Sequence, residues 1–351
     1  MTLTELSYYS RKAFPFVAIF CVVFLILFYM VKLLFIYLGG QNTVSVYTNT
    51  VFGPLNRPEL KEASPSSGFN FTLDTVEGEP VTATDTAQIF LLPPSAPRFG
   101  YRDKIYLIAK TFGFDTSVVK HKLVDKTATF IDNQQSLDID IGNFNFSYAY
   151  KYQGKSNLFA NATIPSEDVA QNTATDFLKS VNRYPDELAK GKLNTIYLHY
   201  DPQTDSLVVT QRPQEANMVE IDLYRPDVDA VPQPIPIVSP KYFNSQNYVV
   251  MVFHGKDFKI VKAQVKFFEK SDEQVGIYPL KTGNMAWDQL KKGEGLIVLT
   301  PVKQGNITIK KMFLGYLDPD VYQNYLQPVY VFLGDDFVSY VPAVQDSLLN
   351  K

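Results

Sequence analysis

The chain has 351 residues, 33 of them basic and 36 acidic, for a net charge of −3, and no block of like charge appears. That spacing argues against a nucleic-acid or anionic-lipid partner, because phosphate binding needs clustered Lys and Arg. The only cysteine, Cys21, lies inside the longest apolar run. The rest of the chain therefore has no thiol nucleophile and no cysteine zinc ligand, and a disulfide-free exterior favours a bacterial envelope.

Residues 14–38 are apolar apart from Lys32. As a helix, a run of this length covers roughly 37 Å at ~1.5 Å per residue, enough to span a bilayer core with some tilt. It exceeds the core of a cleaved signal peptide, and Ile36-Tyr37-Leu38 has no small-residue cleavage pattern. Lys32 is close enough to the end to reach the interface with its stem. Arg11 and Lys12 precede the run, and the next basic residue after it is Arg57. The positive-inside rule then predicts a single-pass cell-membrane protein with its N-terminus cytoplasmic and its C-terminal part extracytoplasmic.

Gly, Pro, Ser and Asn punctuate residues 39–98, which read as an extended juxtamembrane segment with short strands at 69–75 and 88–92. Ile105, Ile108, Ala109 and Phe112 share one face of a helix over 102–113, with Gly113 suited to the left-handed position past its end. Strands are expected at 118–131 and 135–152. Ser166 opens a helix over 166–181, with Glu167 and Asp168 in its first turn and a buried stripe of Val169, Ala170, Ala174, Phe177, Leu178 and Val181. Alternation resumes at Ile196, Leu198 and Tyr200. It continues at Val219, Ile221 and Leu223, where Glu220 and Asp222 point to a wet face. Five prolines between Arg225 and Pro240 forbid a helix or central strand and predict a hinge. The last third alternates Val261, Ala263, Val265 and Phe267. A helix over 284–292 follows, then strands at 294–300 and 306–317, and a hairpin turning at Asp335-Asp336 closes the chain.

The expected class is α+β: one N-terminal transmembrane helix followed by mainly antiparallel sheet modules, each with a short helix. The expected segments are a cytoplasmic tail (1–13), the transmembrane helix (14–38), the juxtamembrane segment (39–98), a first extracytoplasmic α+β domain (99–224), the Pro-rich hinge (225–240) and a second α+β domain (241–351).

No catalytic constellation stands out. His121, His199 and His254 are isolated in strand patterns, without the spacing of zinc ligands. Asp138 and Asp140 share a strand face. Asp318 and Asp320 read as turn residues, and Asp335 and Asp336 as a hairpin tip; none has the calcium-loop pattern. There is no G-x-S-x-G elbow, Walker loop or G-x-G-x-x-G. Asn70, Asn145, Asn161 and Asn306 each begin an N-x-Ser/Thr triplet, a number compatible with chance. Tyr322, Tyr325, Tyr330 and Phe332 read as core and cross-strand packing, with a peptide- or glycan-binding groove as the sharper alternative. No catalytic residue, cofactor or metal is assigned.

The segments YPLKTGNMAWDQLKKGEG, FLGYLDPDVYQNYLQPVYVF and FVSYVPAV resemble the end of bacterial membrane-anchored proteins with a YycH/YycI-like domain. Ala286, Leu290, Gly293, Tyr325, Leu326, Pro328 and Val329 hold the places of that pattern. The resemblance covers about seventy residues and supplies no catalytic residues. It implies an outer domain that acts by contact on a sensor kinase in the membrane. The expected function is therefore a non-enzymatic extracytoplasmic binding or regulatory protein, its partners the bilayer through residues 14–38 and a membrane protein. The alternative is a structural envelope component binding wall glycan or another envelope protein.

Overall fold

Strand Tyr248–His254 reads YVVMVFH, apolar at successive positions, and five consecutive residues, Val249 to Phe253, are buried. Such a run is stable only where both faces of a sheet are covered. In the computed structural model, which describes residues 14, 16, 19–34, 47–97, 99–230 and 233–350, that is where it lies. It is a central strand of a nine-stranded, wholly antiparallel sheet.

This first sheet orders its strands as Lys122–Val124, Thr127–Ile131, Gln135–Asp140, Phe146–Tyr150, Asp257–Val265, Tyr248–His254, Met218–Leu223, Leu193–Asp201 and Ser206–Thr210. Helices Tyr101–Thr111 and Glu167–Ser180 cover one face. Ile105, Ile108, Ala109 and Phe112 of the first helix pack there with Ala170, Ala174, Phe177 and Leu178 of the second, against Leu137, Ile221 and Met251. Gly113 adopts φ +87° past the first helix, as its position requires. Ser166 occupies the cap position of the second without a side-chain capping bond. Val169 lies one position off the buried stripe and is half exposed. On the opposite face, Phe159, Tyr200, Met218, Val250 and Val252 form a smaller core.

The second sheet, also nine-stranded, is built on Gly305–Leu317, thirteen residues long. One side pairs antiparallel with Tyr325–Gly334, which pairs in turn with Phe337–Pro342. The other side is shared by two parallel partners, Phe69–Leu73 along residues 305–309 and Ile237–Val238 along 316–317. Thr86–Leu91 bridges Val275–Pro279 and the start of Tyr325–Gly334. Helix Gly283–Lys291 buries Ala286 and Leu290, and its cap Thr282 accepts from Met285 N at 3.3 Å. The class is α+β with mainly antiparallel sheets.

The division along the chain differs from the expected one. Residues 48–351 form one unit and residues 1–47 another. Within 48–351 the sheets are interleaved, with the chain crossing between them at 92–100, 224–236, 239–247 and 266–274. The segment read as juxtamembrane supplies strands to the second sheet. Strands Tyr248–His254 and Asp257–Val265, read as part of a second domain, hydrogen-bond into the first. Periodicity identifies strands and leaves their partners open, so pairing across more than two hundred residues overrides a linear boundary.

Residues 19–34 form an uninterrupted helix with exposed side chains. No helix among the described residues is long and apolar enough to cross a membrane. The expected span of 14–38 lies partly outside the described residues, and the expected tail of 1–13 wholly so.

Candidate functional site

Alternation along Met218–Leu223 sends Val219, Ile221 and Leu223 to the helix-covered face and Glu220 and Asp222 to the other. That second face is not wet. Asp222 is fully buried and Glu220 partly so, because the 239–247 crossing packs over this end of the strand. Asp222 Oδ2 accepts from Tyr224 OH at 3.1 Å and from Ser245 N at 3.3 Å, while Oδ1 has no partner.

Burial, reinforced by the Asp222 carboxylate, pushes Glu220 up to about 7, with Lys262 opposing. Burial also holds Asp222 above the ordinary carboxylate range, against the hydrogen bonds it accepts. Two carboxylates on one buried face resist double ionisation, so the pair titrates as a unit.

Glu220 faces a cleft of about 600 Å³ at the seam between the sheets. The first sheet contributes Tyr248 and Lys262; the crossings Lys241, Gln246 and Lys266; the second sheet Val298 and Leu299. A second cavity, of about 330 Å³, adjoins it, with Lys266 and Asp320 lining both. Gln246 is 7% exposed. Its Nε2 donates to Pro319 O at 3.0 Å and to Asp318 O at 3.5 Å, which fixes the amide orientation and leaves Oε1 unpartnered. Asp320 Oδ1 is likewise buried without a partner.

Arg225 holds the seam beside the cleft. Its guanidinium meets Glu187 Oε1 at 3.0 Å and Asp318 Oδ1 at 3.2 Å, donates to Phe268 O at 2.5 Å and lies 4.2 Å over the Phe267 ring. Desolvation pushes both carboxylates up, and Arg225 pulls them down. The expected hinge at 225–240 is thus pinned at its first residue. It is pinned again where Val228 and Ile235 pair and where Ile237–Val238 joins the second sheet.

The structure separates most of the residues weighed from sequence. His121 Nδ1 lies 3.2 Å from Tyr106 OH, and His199 Nδ1 lies 2.6 Å from Glu215 O. His254 ends a strand opposite Asp257. Asp335 pairs with Lys310, and Asp336 sits at φ +49° in the hairpin turn. One carboxylate pair does meet a member of another: Asp138 and Asp140 line the smaller cavity together with Asp320. Asp138 accepts from Thr129 at 2.6 Å, and Asp140 caps the turn at Gly142 and Asn143. Among the described residues no group of three or more His, Cys, Asp or Glu is arranged to hold a metal ion. Tyr330 and Phe332 are core residues, as their alternation suggests. Asn70 donates to Asn306 at 3.3 Å, and Thr72 pairs with Thr308 at 3.2 Å, so these two triplets form a ladder across parallel strands.

Sequence reasoning placed Glu220 and Asp222 together but on the wrong kind of surface, and it missed Gln246 and Arg225. One signal was available: the flanking crossing, SPKYFNSQN, ends in polar residues immediately before a fully apolar strand.

No family model matches the chain, and no curated protein matches it. Among solved structures, an uncharacterised protein from Eubacterium rectale ATCC 33656 is similar at 11% identity, over 78% of this chain and 88% of that one, with a TM-score of 0.31.

Proposed function

We propose that this chain is a non-enzymatic, membrane-tethered binding protein whose exterior unit holds a ligand in the seam cleft and acts by contact on a membrane partner such as a sensor kinase. The observation that carries the reading is a cleft of about 600 Å³ lined by Gln246, a buried amide whose orientation is locked and whose carbonyl oxygen has no partner. A buried polar atom without a partner is rare and marks a position completed by something else. The cleft also has the size of a small-molecule site. Its walls come from both sheets, so an occupant would stiffen the seam and alter the surface offered to a partner. The apolar run at 14–38, with Arg11 and Lys12 before it, supports the tether and the orientation. The resemblance of residues 278–344 to membrane-anchored regulatory proteins supports the contact role.

A second reading, a structural envelope component binding glycan, draws on Phe243, which is 60% exposed at the cleft and offers a flat apolar face. Two experiments test the proposal. In a Cys21→Ser background, Val76→Cys is expected to react with an impermeant maleimide on intact cells, while a cysteine within residues 1–13 reacts only after lysis. The reverse pattern rejects the orientation. Crosslinking of the full chain in membranes is expected to capture a membrane protein; capture of wall glycan alone favours the second reading.

A further inference from the structure

We infer that the seam cleft takes a zwitterion of amino-acid or short-peptide size, held through its ammonium by Gln246 and Asp320 and through its carboxylate by the cleft lysines. This rests on reading the cleft as the binding site. The acceptor side comes first. Gln246 Oε1 and Asp320 Oδ1 are buried oxygens with nothing to accept from. Both residues line the cleft, and Glu220 adds a third set of acceptor oxygens. Because Gln246 Nε2 is committed to the carbonyls of Asp318 and Pro319, the amide cannot turn to offer a donor instead. Unpartnered oxygens call for a group rich in N–H, and an ammonium has three and no lone pair to clash.

The donor side is equally specific. Lys241, Lys262 and Lys266 line the same cleft. Among the described residues none of the three appears in an ion pair. Lys262 lies 5.3 Å over the Tyr248 ring. Lys262 and Lys241 also face Glu220, and ammonium groups outside any ion pair suit a carboxylate. A doubly charged anion would meet the oxygens of Glu220 and Asp320, and a polyamine would meet the lysines, whereas a dipolar ligand offers each sign its complement. Leu60, Val298 and Leu299 give apolar surface for its side chains.

The test is calorimetric titration of the full chain in detergent with dialanine as probe and acetate, putrescine and glucose as controls, all at millimolar concentration. Dialanine is expected to bind one to one and the controls not to bind. Gln246→Met and Lys262→Met are each expected to weaken dialanine at least about tenfold with an unchanged circular dichroism spectrum. Lys262→Met carries the test if Gln246→Met fails to fold, since the Lys262 ladder bonds to the neighbouring strands are made by its backbone, which the substitution leaves in place. Equal or tighter binding of a control, or dialanine affinity unchanged in the variants, overturns the ligand class while leaving a binding cleft. Failure of all four probes overturns the class and the cleft reading together.

Discussion

Arg225 and Asp318 meet at 3.2 Å, each with a side chain no more than 5% exposed, where the chain leaving the first sheet touches the loop after the longest strand of the second. The contact is a charge pair, not an aligned hydrogen bond, and Glu187 completes the group. Arg225→Ala would leave two buried carboxylates without their cation. It is expected to cost about 3–5 kcal/mol, read as a lower urea midpoint with unchanged slope. Replacing Arg225, Glu187 and Asp318 together with apolar residues is expected to cost far less, since the desolvation is removed along with the attraction.

The Glu220–Asp222 pair makes stability depend on pH. Glu220 moves from an ordinary 4.5 up to about 7 on folding, so the folded state binds the extra proton between those values. Stability therefore falls as pH rises from about 4.5 through about 7 and levels off above. Glu220 faces Lys262, Lys241, Asp222 and Tyr248; the lysines moderate the slope. Glu220→Gln is expected to flatten it and to raise stability at about pH 8 by about 1–2 kcal/mol. Thermal melts across pH check this, and an unchanged slope would count against the buried pair.

Gly191 is the most closely hemmed-in glycine among the described residues. A Cβ there would lie 1.7 Å from Tyr224 O, and backbone cannot rotate away as a side chain can. Gly191→Ala is expected to cost about 3 kcal/mol or more and to disturb the neighbouring hydrogen bond that Tyr224 N donates to Lys192 O at 2.9 Å. Amide exchange at Tyr224 reports the local opening, and urea unfolding reports the cost.

Lys281 is fully buried beneath Asp346, at 2.9 Å, and also donates to Gln289 Oε1 at 2.7 Å and Pro342 O at 3.0 Å. Burial holds its ammonium below the usual lysine range. Asp346→Ala strips the counter-charge and is expected to cost up to about 3 kcal/mol, while Lys281→Met is expected to be near neutral. Paired denaturation curves distinguish the two. A larger loss from Lys281→Met would show that its hydrogen bonds outweigh its desolvation.

Local features were legible in the sequence where local physics decides them. The stripe of Ile105, Ile108, Ala109 and Phe112, the left-handed Gly113, and the two-residue turn at Asp335-Asp336 all depend on neighbours within a few positions. The site did not read out, because its oxygens are made special by distant chain. Asp222 is buried by Ser245, and Gln246 is oriented by the carbonyls of 318 and 319. Alternation told correctly that Glu220 and Asp222 oppose Val219 and Ile221, and it could not tell that a crossing loop covers them. The prolines of 225–240 do exclude regular structure over most of that stretch, yet they say nothing about Arg225, which is fixed by two carboxylates far along the chain.

The parallel pairing of Phe69–Leu73 with residues 305–309 has a consequence for how the protein is made. Asn70 and Asn306 are 236 positions apart, and the first sheet lies in the sequence between them. On a chain delivered N-terminus first, Phe69–Leu73 and Thr86–Leu91 emerge long before their partners. They must wait, edges open, while the first sheet assembles from residues that follow them. Closing so long a loop is slow, and unpaired edges invite intermolecular pairing in the interval. A pulse-chase experiment would be expected to find an early protease-resistant core spanning roughly the first sheet, with residues 64–91 still cleavable, and a helper that shields those strands would speed maturation without changing the final stability.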